Sequence, residues 1–228
     1  LSKMFQLSQV WGIIEEGTPN PAHNIERFKE EKRDRYVTPE ELPRLVDAIE
    51  KESNQSARFA IWLYLLTGLR KDEVLTLQWS DIDMNRQELV REETKNGKKH
   101  YLPLSAAAVS LINLIPRCDN NPYLIVGKLQ GQHLVNIDKA WQRVRKVAEI
   151  EDVRIHDLRR TVGSWLAQSG NSLHLIGKVL NHSNTSTTAI YARFGQDNVR
   201  EALEQHGQKI LDVAGFSNKA DDIPLKKA

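Results

Sequence analysis

At 228 residues, 40% hydrophobic and 27% charged, the chain has the composition of an ordinary globular protein and the length to bury a substantial core. A formal net charge of +2 makes it only mildly basic, so any affinity for nucleic acid has to rest on local clusters. The single cysteine, Cys118, excludes an internal disulfide and a cysteine-rich zinc module, and no apolar run approaches membrane-spanning length.

The chain opens on Leu1 rather than Met, with no basic-then-apolar leader, and we read it as a piece of a longer protein. Phe5, Val10, Trp11 and Ile14 are spaced for a short amphipathic helix over 1–14, which Gly17, Pro19 and Pro21 terminate. Residues 24–35 are mixed in charge and poor in apolar side chains, as in a linker. Thr38-Pro39-Glu40-Glu41 has the form of a capping box with proline in the first helical position, opening a helix that runs to about Lys51. Residues 57–67 are strongly apolar and predict a core helix, broken by Gly68. A further helix follows, with Arg70 at its start and Val74, Leu75 and Leu77 turned inward. From Trp79 to Leu104 the pattern changes to short alternating segments. Turn residues at 83–85 and at Asn96-Gly97 predict a small antiparallel sheet of two or three strands. Helices are expected over 105–115, 135–148, from Arg154 onward, 173–180, 185–191 and 197–213, with a polar tail over 217–228.

The chemistry concentrates between Arg154 and Tyr191. On a helix His156 and Arg159 lie three residues apart on one face, while Leu158, Val162, Trp165 and Leu166 form a neighbouring stripe that can be buried. A fixed guanidinium beside an imidazole suits a phosphate, because the fork grips two oxygens and the ring exchanges a proton near neutral pH. His182 and Tyr191 follow at short range. Taken singly, each residue has a plainer reading. Arg70 reads as a surface partner of Asp72 or Glu73, and His156 with Arg159 as an exposed pair. Lys95 reads as one of several hairpin lysines beside Lys98 and Lys99, His182 as a helix-terminal histidine, and Tyr191 as a core tyrosine between Ile190 and Phe194. A zinc site of His156, His174 and His182 is disfavoured by the spacing and by the Arg159 cation.

In order and spacing, Thr67-Gly68-Leu69-Arg70-Lys71-Asp72-Glu73, Thr94-Lys95, His156-Asp157-Leu158-Arg159-Arg160-Thr161, Leu180-Asn181-His182 and Tyr191 together resemble the tyrosine recombinases, the phage integrases. The resemblance implies an α+β, mostly α-helical catalytic domain with a small antiparallel sheet over residues 36–213. Residues 1–22 would be the last helix of a core-binding domain, 23–35 a linker and 214–228 a flexible tail. It implies a metal-free, cofactor-free transesterification: Tyr191 as nucleophile, Arg70 and Arg159 on the phosphate oxygens, and Lys95 as general acid with Lys98 and Lys99 as alternatives. His156 would be an acid or base near Tyr191, His182 a phosphate hydrogen-bond donor, and Glu73 a support that orients Arg70 or His156.

The implied partner is double-stranded DNA with attachment or core sites, bound by a homotetramer in a bacterial or phage-infected cytoplasm and away from any membrane. The isolated piece would be monomeric, and accessory DNA-bending or directionality proteins would act alongside it. Lys139, Arg143, Arg145 and Lys146 form a basic helix that either tracks the DNA backbone or faces solvent. A type IB topoisomerase and a non-cutting DNA-binding accessory protein are the rival readings.

Overall fold

The computed structural model describes residues 1–25, 28, 33–91 and 99–213. The Asn96-Gly97 turn with Lys95 and Lys98, and the tail from 214 on, lie outside the described residues. The chain forms two compact units, Leu1–Asp34 and Arg35 onward.

The first unit is built on α1, Ser2–Val10. This helix ends earlier than the sequence pattern suggests, because Gly12 takes a left-handed φ of 69°. The following loop folds back on it, Asn20 Nδ2 reaching Ser2 Oγ at 3.0 Å and Gln9 Nε2 the Thr18 carbonyl at 2.9 Å.

The second unit is α+β and mostly helical. Its first helix, α2 (Leu42–Glu50), starts later than the capping-box reading placed it. Thr38–Glu41 forms a turn instead: the Thr38 N–H donates to Glu41 Oε2 at 3.0 Å, and Pro43 is the proline in the first turn. The acidic half of the box is used and its threonine cap is not. The core helix α3, Gln55–Thr67, is capped by Asn54, whose side chain accepts from the Ala57 N–H at 3.1 Å. It ends where Gly68 turns left-handed, at φ 65°. The short α4 follows over Lys71–Leu75.

Three antiparallel strands come next in the order β1 (Ile82–Asp83), β2 (Glu88–Arg91) and β3 (His100–Pro103). Leu89 pairs with Leu102 and Arg91 with His100. Along β3, His100 and Leu102 are buried while Tyr101 and Pro103 are exposed, the alternation of a one-sided sheet. Helices α5 (Ala106–Leu114) and α6 (Asp138–Val147) lead to the long α7, Ile155–Gln168. There the Asp157 carboxylate accepts the Arg154 N–H at 2.8 Å, and a negative group in a first helical turn also suits the helix dipole. Helix α8 (Leu173–Val179), α9 (Thr185–Thr188), a 3-10 segment (Ala189–Gly195) and α10 (Gln196–Val213) complete the described chain.

The main core gathers Leu45, Ile61, Leu63, Val74, Ile112 and Leu158, all at most 1% exposed. At about 25 cal/mol per Å² of apolar surface, each fully buried side chain of this size contributes roughly 1.5–3 kcal/mol. A smaller cluster of Ala167, Ile176, Leu180 and Tyr191 sits beside α7 and α8. It joins the C-terminal helices to the helix that carries His156 and Arg159.

Candidate active site

Two turns of backbone build the site. The first is the break at Gly68. A Cβ there would lie 2.8 Å from Leu180 Cδ2 and 3.1 Å from Val162 Cγ1, so both the left-handed φ and the packing require glycine. The Gly68 carbonyl accepts Arg159 Nη1 at 2.5 Å. The second is the end of α8, where Asn181 takes a left-handed φ of 47°. The Leu180 carbonyl accepts Arg159 Nη2, and the Asn181 carbonyl accepts Arg70 Nη2 at 3.0 Å. The last carbonyls of a helix lack partners within it and carry partial negative charge, so they are natural seats for guanidinium groups.

Arg70 stands just before α4 in an extended conformation. Glu73 accepts its backbone N–H at 2.8 Å through Oε2 and its Nη1 at 2.9 Å through Oε1. The surface ion pair of the plain reading therefore exists, and it aims the guanidinium. Burial alone would raise the Glu73 carboxyl; the backbone and side-chain hydrogen bonds from Arg70 more than offset it and hold it below its ordinary value. Arg159 is 5% exposed, and burial followed by the Arg70 charge brings it down to about 10, still protonated at neutral pH. The contacts described here use two of the five donors on each guanidinium.

His182 is half-buried, with Nδ1 2.9 Å from Thr188 Oγ1. Burial, then the charges of Arg159 and Arg70, push it down to about 4, so it is neutral at pH 7. When the Thr188 hydroxyl donates to Nδ1, the proton sits on Nε2, where the ring can donate to a phosphate oxygen. His156 presents an exposed edge at the start of α7, and partial burial followed by Arg159 and Arg160 lowers it as well.

Tyr191 is 3% exposed and lies against α7, four residues along from Arg159. A Cβ at Gly163 would fall 2.4 Å from its Cζ, so the ring occupies the space a side chain would need. Burial raises the phenol, while the nearby Arg159 and Arg160 pull it back. The core-tyrosine reading thus describes the seated conformation, and the same seat keeps the ring beside the arginines.

Arg70, Glu73, Arg159, His182 and Tyr191 are accordingly gathered around α4, α7 and the end of α8, with His156 one turn from Arg159. Lys95 and Lys98 lie outside the described residues; Lys99 and His174 are exposed on the rim of an open cleft of about 840 Å³ that His182 and His100 also line. On α6 the basic residues divide. Arg143 is committed to Glu52 at 2.6 and 3.0 Å and Arg145 to the Val153 carbonyl at 3.4 Å, while Lys139 and Lys146 are exposed.

Two buried polar residues beside the site carry little signal in the sequence. Thr188 is 2% exposed and fixes His182, and its signal was a threonine within one helical turn of Tyr191. His100 is 6% exposed, with Nε2 3.2 Å from the Lys178 carbonyl. Burial depresses it, against the Lys178 hydrogen bond, and the charges of Glu73, Arg159 and Arg70 reach it. Its signal was a polar residue in phase with Leu102 on the inward face of a strand.

Residues 35–197 match the sequence profile of the phage integrase family. The chain belongs to that family. The tyrosine recombinase XerA of Pyrococcus furiosus is 26% identical over 74% of this chain and 60% of its own length. The integrase of Salmonella phage P22 is also 26% identical, over 82% of this chain and 49% of the phage protein. The chain therefore spans about half to three-fifths of these relatives. Among solved structures, the XerH site-specific recombinase in a post-cleavage complex with a palindromic difH substrate superposes with a TM-score of 0.64. It covers 80% of this chain and 57% of that one at 23% identity, a likeness of fold.

Proposed function

We propose that this phage integrase family chain is the catalytic part of a site-specific DNA recombinase that cuts and rejoins strands through a 3′-phosphotyrosyl link. The observation that carries the reading is the pairing of Arg70 and Arg159 on carbonyls of adjacent residues, Asn181 and Leu180, beside a neutral His182 and the Tyr191 ring. Two guanidiniums held by backbone are preorganised for charge that builds on two phosphate oxygens, the arrangement that stabilises a phosphoryl-transfer transition state without reorganisation. Relatives named as recombinases, and the XerH complex solved on its difH DNA, support double-stranded DNA as the substrate.

In this reading Tyr191 leaves its seat and its oxygen attacks phosphorus. The bond to the 5′-oxygen breaks, and that oxygen leaves as a hydroxyl after taking a proton from Lys95, or from Lys98 or Lys99 in its place. His156 accepts the phenol proton, and His182 donates to a non-bridging oxygen. A 5′-hydroxyl from another strand then attacks the phosphotyrosine and restores both the phenol and the phosphodiester. The number of phosphodiester bonds is conserved, so no nucleotide or external energy source enters. The same proposal makes residues 1–22 the end of a core-binding domain and 23–35 its linker. It also includes assembly as a tetramer on DNA, accessory DNA-bending or directionality partners, and work in a bacterial or phage-infected cytoplasm.

A nicked suicide DNA substrate carrying a core site tests the reading. The expected outcome is a covalent protein–DNA adduct on a denaturing gel that is absent for Tyr191→Phe. An adduct retained by the variant reassigns the nucleophile. DNA binding with no adduct from either protein would support a non-cutting accessory protein instead.

A further inference from the structure

The first residues of the larger unit lie along α7. Val37 is fully buried, its N–H donating to Thr161 Oγ1 at 2.9 Å and its carbonyl accepting the Trp165 indole N–H at 3.0 Å. On one side of it, Arg35 is clamped between Glu41 and Asp152 at 2.6 Å each. These bonds fix where the intervening side chain lies. The Tyr36 ring meets Phe194 edge-on, with centroids 5.1 Å apart and planes at 77°, and its hydroxyl accepts from Gln168 Nε2 at 3.1 Å. Phe194 is three residues beyond Tyr191 in the same 3-10 segment and packs on the cluster of Ala167, Ile176, Leu180 and Tyr191. The Arg193 guanidinium lies over the same ring, 4.6 Å from its centroid.

We propose that Tyr36 is a positioning residue for Tyr191: by pinning Phe194 it holds the 189–195 segment in the seated form, with the phenol packed against Gly163. Tyr191 as a residue is only 3% exposed, and in the reading above its oxygen leaves this seat to attack phosphorus, so every contact peculiar to the seat adds to the work of release. The contact belongs to the seat because both of its partners are fixed there, Tyr36 by the Val37 bonds to α7 and Phe194 by the cluster that includes the nucleophile. The consequence for cleavage rests on the recombinase reading; the hold on the segment does not.

Amide hydrogen exchange of the whole chain reads the hold directly. Tyr36→Ala should speed exchange over 189–195 by roughly two- to tenfold, the range an edge-to-face aromatic contact implies, while α7 amides keep their rates. Tyr36→Phe keeps the ring contact and should stay close to wild type. Phe194→Ala also loses the cluster packing and the Arg193 contact and should speed exchange at least as much as Tyr36→Ala, and adding Tyr36→Ala to it should change little. On the suicide substrate, first-turnover cleavage per bound complex should rise in Tyr36→Ala by the same ratio with DNA affinity unchanged. Unchanged exchange over 189–195, an equal rise across α7, or slower cleavage at full binding would overturn the assignment. If wild type forms no adduct, the recombinase reading falls and the exchange data alone decide the role of Tyr36.

Discussion

His182 is where the electrostatics of the site become measurable on a single residue. Its folded value of about 4 lies below the ordinary 6.5, so between those two values the unfolded chain binds a proton that the folded chain does not. Stability therefore falls as pH drops through 6.5 toward 4, and this contribution is fully lost below the folded value. His156, lowered by burial and by Arg159 and Arg160, acts with the same sign. Melting temperatures measured from about pH 7.5 to about pH 4.5 should decline more steeply for wild type than for His182→Gln. Equal slopes would mean that the imidazole is not held neutral by Arg159 and Arg70.

At the scale of elements, the turn after α3 and the turn after α8 act together, because Arg159 spans them. Gly68→Ala would place a methyl 2.8 Å from Leu180 Cδ2 at a φ of 65°. Backbone strain and overpacking together should cost roughly 2–4 kcal/mol, or about 5–10 °C in Tm for a chain of this size. Under the proposed function, cleavage should fall further than the loss of folded protein explains, since the carbonyl that holds Arg159 Nη1 moves with the turn. A variant that lost stability alone would show that the Gly68 carbonyl does not set the arginine. The same scale shows what could be read beforehand. Side chains that carry charge or a ring can be grouped by a family resemblance in order and spacing, so the nearness of Arg70, Arg159, His182 and Tyr191 could be expected from sequence, whatever their roles. The seats of the two arginines could not be, because their acceptors are the carbonyls of Gly68, Leu180 and Asn181, which every residue type possesses. Asn181 was legible as a motif residue but not as a left-handed one. The start of α2 went astray because Thr38 and Glu41 fit a capping box by spacing, whereas a second proline, Pro43, sets the first turn. His100 was missed because inward strand positions are read by hydrophobicity, and a buried histidine lacks that signal.

At the scale of the whole molecule, the mild net charge of +2 means that the DNA affinity of the proposed function would have to be local and that basic residues are not interchangeable. Arg143 illustrates the distinction. It closes on Glu52, whose side chain is 1% exposed, so it ties α6 to the turn after α2. Arg143→Ala should cost about 2 kcal/mol in thermal or urea unfolding, because a buried carboxylate loses its cation, and should leave the salt dependence of DNA binding unchanged. Lys146→Ala should do the reverse, lowering the slope of log affinity against log salt by about one with little change in Tm if that lysine meets a phosphate. An unchanged slope would return Lys146 to a purely solvated face.

The paired guanidiniums hang from neighbouring peptide units, and His182 is the next residue in the chain. Three of the groups that would grip the phosphate therefore share one support, the end of α8 with the Ile176–Leu180 cluster beneath it, while Glu73 and the Gly68 carbonyl hold the two arginines from the other side. A small displacement of α8, whether by temperature, a cavity at Ile176 or a neighbouring molecule leaning on the helix, would loosen one bond of each arginine and shift the histidine at the same time. Under the proposed function all three groups then answer to where one short helix sits, which makes the end of α8 a single point from which strand cleavage would be tuned.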